Sequence, residues 1–168
     1  MKIKYFHISV LLIILISLLS CSKDPVYSNI PNIEYKDFYL YYDIDALGNK
    51  ELYGELVFSL IDGNGDIGYE EYDTLSTNDT SKVYTKLYIK IDGEFQDTSL
   101  ITTLNYRIPY ITPEGKNKTL KAEVKRKFEY SATFFGDTIK YEFYVIDRAL
   151  NKSNIEQTPA IVLPLYIN

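Results

Sequence analysis

Hydrophobic and polar residues alternate along most of the chain after residue 33. In the segment that begins at Lys82, the residues Val83, Leu87 and Ile89 occupy one set of alternate positions, and lysines and tyrosines occupy the other. A period of two places successive side chains on opposite faces of a β-strand, so that one face is buried and the other meets solvent. Runs of this kind predict seven strands, at residues 36–42, 51–61, 82–91, 101–108, 119–130, 138–147 and 160–166.

Short turn-forming segments separate the predicted strands, and the predicted fold class is all-β. Alternation of apolar and polar residues favours antiparallel sheets with one solvated face. Seven short strands in about 130 residues indicate an antiparallel, immunoglobulin-like β-sandwich. Arg126 falls on the apolar face of its strand, so it is expected either near a strand end or with its charge extended toward solvent. The predicted core comprises Leu56, Phe58, Leu87, Ile89, Val124, Phe143 and Val145.

The first 20 residues have a different pattern. Lys2 and Lys4 precede an apolar run at residues 8–19, which is typical of a secretory signal peptide and short for a membrane-spanning helix. The next residues complete the sequence LLSC, which resembles the lipobox of bacterial lipoproteins. That resemblance implies cleavage before Cys21 and attachment of a diacylglycerol and a fatty acid such as palmitate, with the membrane as a partner. The alternative is an ordinary signal peptide, or an anchoring helix, with an incidental cysteine.

Three parts are expected along the chain. Residues 1–20 are the lipoprotein signal peptide, residues 21–33 are the lipidated N-terminus and a flexible tether, and residues 34–168 are one β-sandwich domain. The lipobox implies a membrane-anchored protein of the cell envelope, at the outer membrane. The sequence CSKDP partly resembles the acidic export signal of some Gram-negative surface lipoproteins, so the periplasmic and surface sides both stay open.

Charge and residue types narrow the function classes. The formal charge is −5, and it becomes −7 when Lys2 and Lys4 leave with the signal peptide, so no nucleic-acid partner is expected. His7 is the only histidine and Cys21 the only cysteine, which removes histidine-based catalysis and His/Cys zinc sites from the mature chain. We therefore predict no enzyme. A carboxylate-based glycan hydrolase is the least favoured alternative, because it needs two facing carboxyls.

Oxygen-bearing side chains occupy alternate positions in FSLIDGNGDIGYEEYD, residues 58–73. Residues 62, 64 and 66 match positions 1, 3 and 5 of an EF-hand, and Glu70 and Asp73 could stand at positions 9 and 12. Ile67 occupies the position where an EF-hand requires glycine, so this loop is not an EF-hand. A different calcium loop is one hypothesis. The alternative is a tight turn in which Gly63 and Gly65 adopt positive φ and the acids are solvated.

The predicted topology brings a second loop to the first. In an immunoglobulin-like sandwich, the loops that follow the second and sixth strands share one end. The chain's N-terminus enters at the same end. The side chains expected to gather there are Asp62, Asn64, Asp66, Asp147, Asn151 and Asn154, and a bound Ca²⁺ would be held by Asp62, Asn64, Asp66 and Asp147.

Tyrosines suggest a second site. Aromatic residues make up 15% of the chain, and Tyr84 and Tyr88 alternate with lysines on the solvent side of their strand. They are candidates for a binding face that takes an unknown protein or glycan partner. The alternative is that these amphipathic side chains shield the sheet.

The segment YEFYVIDRALNKSN, residues 141–154, is similar to the D-x-A-G-N-x-S ending of bacterial extracellular immunoglobulin-like and fibronectin-III-like domains. It matches at Asp147, Ala149, Asn151 and Ser153, and departs at Leu150, where the pattern has glycine. With LIDGNGDIG and YRIPYITPEGKNKTLKAEV, it resembles a group of small, uncharacterised bacterial lipoproteins that have a DGDGDIG-like loop. The resemblance implies fold and location. We expect a non-catalytic binding or adhesion module or, alternatively, a structural subunit or spacer of an envelope complex.

Overall fold

The computed structural model describes residues 25–68, 82–98, 104–111, 113, 117–130 and 137–164, which contain nine β-strands and no helix. No helix able to cross a lipid bilayer is therefore found among these residues. The strands are β1 (Asn32–Ile44), β2 (Lys50–Asp62), β3 (Lys82–Ile91), β4 (Glu94–Asp97), β5 (Tyr106–Arg107), β6 (Leu120–Tyr130), β7 (Thr138–Val145), β8 (Glu156–Gln157) and β9 (Ile161–Val162).

The strands form two antiparallel sheets. The first has the order β1-β2-β6, and the second has the order β4-β3-β7-β8, with β5 also pairing with β3 and β9 with β7. This arrangement confirms the predicted all-β fold class and the antiparallel β-sandwich. The strand count differs from seven because β4 and β8 were not predicted, and the last predicted strand, 160–166, is reduced to the two residues of β9. Residues 101–103 of the predicted fourth strand lie outside the described residues, as does the signal peptide.

A bulge sets the phase of the first strand. β1 starts at Asn32, before the predicted first strand, and pairs with β2 over its whole length. The register shifts between Tyr35 and Asp37, so one residue is inserted. Such an insertion exchanges the two faces of a strand beyond it. As a result Ile33 and Tyr35 face the core before the bulge, and Phe38 and Leu40 pack against it after the bulge.

The core lies between the two sheets, and aromatic side chains join them. The rings of Phe58 on β2 and Phe143 on β7 have centroids 5.1 Å apart. Phe128 on β6 stacks on Tyr141 of β7 at 4.4 Å, and the hydroxyls of Tyr130 and Tyr141 are hydrogen-bonded at 2.8 Å. These contacts bury apolar surface from both sheets and hold the sandwich closed.

Most of the predicted core is buried, with two exceptions. Ile89 and Val124 are only half-buried, whereas the other five predicted core residues are buried. Val124 lies on β6, an outer strand of its three-stranded sheet, where it lines an open groove. Arg126 is in the middle of β6, so a position near a strand end is wrong. Its guanidinium carbon lies 4.8 Å from the ring centre of Tyr106, which is a favourable cation–π contact.

Candidate functional site

One end of the sandwich brings together three carboxylates. β2 ends at Asp62, and β7 is followed, two residues later, by Asp147. Asp62, Asp66 and Asp147 each place a carboxylate oxygen within 4.8 Å of the other two. Asp62 and Asp147 have no exposed surface, and Asp66 is half-buried. We call these three residues the carboxylate centre. The prediction that Asp62 and Asp147 lie at the same end of the sandwich is confirmed.

The loop after β2 is held by close backbone contacts. The amide of Asp66 donates a hydrogen bond to Asp62 Oδ2 at 3.0 Å, and the amide of Arg148 donates to the Asp66 carbonyl at 2.9 Å. Gly65 has the positive φ expected of it, +65°. Gly63 does not; a Cβ there would instead lie 2.6 Å from the carbonyl oxygen of Ser28. Gly63 is required because the N-terminal segment packs against it.

Asn151 orients the carboxylate of Asp147. Its backbone amide donates to Asp147 Oδ1 at 2.7 Å, and its side-chain Nδ2 donates to Oδ2 at 2.9 Å. Asn49 makes the same two bonds to Asp45, at 2.7 and 3.0 Å, in the hairpin at the other end of β1. We call this arrangement an aspartate–asparagine clasp. The clasp of Asp45 is partly exposed, whereas that of Asp147 is buried beside two further carboxylates.

Three buried side-chain oxygens in and beside the carboxylate centre lack hydrogen-bond partners. Asp62 Oδ1, Asn64 Oδ1 and Asp66 Oδ1 are buried and accept no hydrogen bond. In the described part of the chain, no lysine or arginine forms an ion pair with any of the three aspartates. Arg148 directs its Nη1 to the carbonyl oxygens of Ile67 and Gly68. Burial, together with a hydrogen bond and the negative charge from Asp66, raises the pKa of Asp62 to about 6.

The other predicted residues of this end have varied positions. Asn64 lies in the loop with its side-chain Oδ1 buried. Asn154 ties the segment before β8 to β1, because its Oδ1 accepts from the amide of Ile33 at 2.8 Å and its Nδ2 donates to the Ile33 carbonyl. Glu70 and Asp73 lie outside the described residues. The orienting role of Asn151 was not predicted, although its position in the D-x-A-G-N-x-S pattern marked it.

Tyrosines and lysines cover the outward side of the second sheet. Tyr84 and Tyr88 project from it as the alternation predicted, but they are half-buried and not exposed. Tyr84 stacks on Tyr144, its partner on β7, with ring centroids 5.0 Å apart and planes 7° apart. Lys152 Nζ lies 3.9 Å from the centre of the Tyr144 ring, and Lys82 Nζ lies 6.0 Å from that of Tyr84. The sequence reasoning missed Tyr144 and Lys152.

The charge of this side is mainly positive. We define the tyrosine–lysine face as Lys152 together with the outward side chains of β3, β4 and β7. It carries five lysines and two acids, although the protein as a whole is acidic. Its charged members are Lys82, Lys86, Lys90, Lys140, Lys152, Asp97 and Glu142.

The two sites differ in what can reach them. The carboxylate centre is closed to a large molecule because two of its three side chains are fully buried, but a single cation needs no such opening. The tyrosine–lysine face is open to an extended ligand.

Cys21 lies outside the described residues. Comparisons of the chain with models of protein families, with curated proteins and with solved structures found no significant match.

Proposed function

We propose that this protein is a lipid-anchored protein of the bacterial envelope whose β-sandwich binds a partner without catalysing a reaction. Cys21 would supply the anchor at the membrane, and the lipobox-like sequence supports a location at the outer membrane. The tyrosine–lysine face is the observation that carries the binding role, because it concentrates positive charge on an acidic protein. An anionic glycan is the partner that this chemistry fits best.

Fixed ammonium groups are the main reason for choosing an anionic ligand. Cation–π contacts hold Lys152 over Tyr144 and Lys140 over Tyr88, which limits the motion of these side chains before any ligand arrives. Among the described residues, neither Lys82 nor Lys152 forms an ion pair. Carboxylates or sulfates of a glycan would supply the missing negative charge.

A glycan fits this face better than a protein does. Protein interfaces usually have an apolar core. The exposed large apolar side chains of the described residues do not stand at outward positions of β3 or β7. They lie on β1, in turns and loops, on β9, and at Ile91, the last residue of β3, which belongs to the inward set of that strand; other examples are Tyr39, Leu47 and Val162.

Catalysis is the least favoured function on physical grounds. A glycosidase places two carboxyls about 5–10 Å apart across an accessible sugar. The carboxylate centre is too buried to admit a sugar. Glu123 and Glu129 line separate cavities beside β6, and their six-residue spacing along a strand corresponds to about 20 Å.

Edge strands favour the alternative of a structural subunit or spacer. β1 and β6 are the outer strands of the first sheet and are 13 and 11 residues long. A long outer strand offers backbone donors and acceptors to a strand of another chain. A permanent envelope complex would cover such an edge.

Binding to polysaccharides tests the proposal. The full chain, purified in detergent, is titrated with polygalacturonate and with neutral dextran. We expect binding of polygalacturonate alone, weakened by salt, and a loss of roughly tenfold or more in the Lys82→Ser/Lys152→Ser variant. The control, Lys36→Ser/Lys125→Ser, makes the same change in charge on the first sheet and should bind like the wild type.

Other results would contradict the proposal. An equal loss of polygalacturonate binding in the two double variants would mean that only the net charge of the protein matters. Absence of polysaccharide binding, with co-purification of the same membrane protein by wild type and by both variants, would favour the structural subunit. Mass spectrometry of the complex extracted from native membranes identifies that protein.

A further inference from the structure

We infer that the carboxylate centre, with Asn64, is a calcium site that fastens the loop end of the sandwich. This inference is independent of the glycan proposal, because the tyrosine–lysine face and the carboxylate centre share no residue. It rests on buried oxygens that lack partners and on the proximity of three acids from two loops.

Unpaired buried charge is the first step of the argument. Asp62 has no exposed surface, and its Oδ1 accepts no hydrogen bond. Burying a carboxylate without a partner is strongly unfavourable, and a second and third carboxylate within 4.8 Å make it more so. Among the described residues no cationic side chain compensates this charge. A bound cation would.

The oxygen set selects the class of cation. Ca²⁺ binds six to eight oxygens at about 2.3–2.6 Å, so oxygens on opposite sides of the ion are about 4.8 Å apart. One carboxylate oxygen from each residue of the centre falls within that distance of the others. The described side chains at the centre offer oxygens and no imidazole or thiolate, which disfavours zinc and other transition metals. The buried Oδ1 of Asn64 would add a neutral ligand.

The two clasps show that the turn itself does not require an ion. Asp45 and Asp147 receive the same pair of hydrogen bonds from an asparagine four residues later. Only the clasp of Asp147 is buried beside two more carboxylates. In that clasp Asn151 fixes the carboxylate and still leaves lone pairs for a metal, as residues behind metal ligands commonly do. The clasp of Asp45 is therefore a natural control.

The ion would also hold the N-terminal segment. The amide of Gly63, next to Asp62, donates to the Ser28 carbonyl at 2.8 Å. On the other side of the loop, the amide of Arg148 donates to the Asp66 carbonyl. Fixing Asp62, Asp66 and Asp147 on one ion would keep both hydrogen bonds formed, so the segment that leads to the membrane would be fastened together with the two loops.

Calcium titration tests the inference. The full chain in detergent, freed of metal with EGTA, is titrated with Ca²⁺ and with Mg²⁺ by calorimetry, and its thermal unfolding is followed. Extracellular calcium modules have dissociation constants of about 10⁻⁴–10⁻³ M, so 10 mM Ca²⁺ should raise the Tm by roughly 3–10 °C. We expect one ion per chain and weaker binding of Mg²⁺.

Two isosteric substitutions separate the site from general charge effects. Asp66→Asn should weaken Ca²⁺ binding roughly tenfold or more and remove the rise in Tm. Asp45→Asn changes the charge equally in the exposed clasp and should bind Ca²⁺ like the wild type. Circular dichroism in EGTA establishes that both variants are folded.

Hydrogen exchange gives a second readout. Ca²⁺ should slow exchange of the Gly63 and Arg148 amides and leave that of Asn49 unchanged. Absence of both heat and a Tm shift would overturn the inference. Three other results would also overturn it: retention of the Ca²⁺-induced Tm shift in Asp66→Asn, an equal loss of Ca²⁺ binding in Asp45→Asn, or equal affinities for Ca²⁺ and Mg²⁺.

Discussion

A single residue distinguishes the two aspartate–asparagine clasps at their tightest point. The fourth residue of each turn has positive φ: it is Gly48, with φ +88°, in one turn and Leu150, with φ +69°, in the other. A side chain in this left-handed region is strained by about 1–2 kcal/mol, whereas glycine is not. Leu150 is mostly exposed and gains little from burial in return.

Leu150→Gly is therefore expected to stabilise the protein. The relief of strain is partly offset by the greater freedom of glycine in the unfolded chain, which leaves a gain of about 0.5–1 kcal/mol in the free energy of unfolding. Urea unfolding measures it. The reverse change, Gly48→Leu, meets open space and should destabilise by a similar amount. A loss of stability in Leu150→Gly would show that the leucine side chain has a favourable contact.

The pKa of Asp62 gives a pH dependence to the metal-free protein. This pKa is raised to about 6 from an ordinary value of 3.8, mainly by burial and by Asp66. Between these values the folded chain keeps the proton and the unfolded chain releases it, so stability falls as pH rises through this window. We expect a fall of about 1–3 kcal/mol, measured by urea unfolding in EGTA. Asp62→Asn, which does not titrate, should flatten this profile; a profile unchanged by the substitution would contradict the assignment.

At the scale of elements, the long strands were predictable, whereas the short ones were predicted too long, as for β5 and β9, or not predicted, as for β4 and β8. β3, β6 and β7 bury alternate side chains, which marks them in the sequence. β5, β8 and β9 have two residues each, too few for any periodicity, and arise from backbone pairing with neighbours. The IDGE segment predicted a turn, but not that β4 would continue from it as a hairpin.

The candidate site was predictable as far as topology determines it. Asp62 and Asp147 could be placed together because the strands before them run in the same direction in the sandwich. The contact of Gly63 with Ser28 joins residues 35 positions apart and has no local signal. Likewise, Tyr144 faces Tyr84 only because β3 and β7 pair in that register.

The contact between β2 and β7 gives a prediction at this scale. Phe143 has no exposed surface and packs on Phe58 of the opposite sheet. Phe143→Ala should lower the free energy of unfolding by about 3–5 kcal/mol, because it removes buried surface and leaves a cavity. Val162→Ala, at a position that is 69% exposed, should change it by less than about 0.5 kcal/mol. Denaturant unfolding compares them, and similar small losses in both would place Phe143 outside the core.

At the scale of the whole molecule, the N-terminal contacts would orient the domain relative to the membrane. Besides the Gly63–Ser28 hydrogen bond, Lys121 Nζ donates to the hydroxyl of Tyr27 at 2.6 Å. With the proposed lipid on Cys21, seven residues would lead from the lipid to Ser28 and span at most about 25 Å. β1 then carries the chain about 40 Å to the turn at Asp45. The carboxylate centre would thus lie close to the membrane and the clasp of Asp45 far from it.

Fluorescence quenching in lipid vesicles measures this orientation. Cys21 is the only cysteine and would be consumed by the lipid, so an introduced cysteine is the single site for a dye. A dye on Lys118→Cys, in the loop beside Gly65, should be quenched strongly by nitroxide-labelled headgroups, and a dye on Asn49→Cys only weakly. Equal quenching would refute a fixed orientation.

In unlabelled protein, Cys21→Ala should take up no labelled fatty acid and leave the membrane fraction, because the acyl chains provide the anchoring energy. A Cys21→Ala protein that still sediments with membranes would show that another segment anchors the chain.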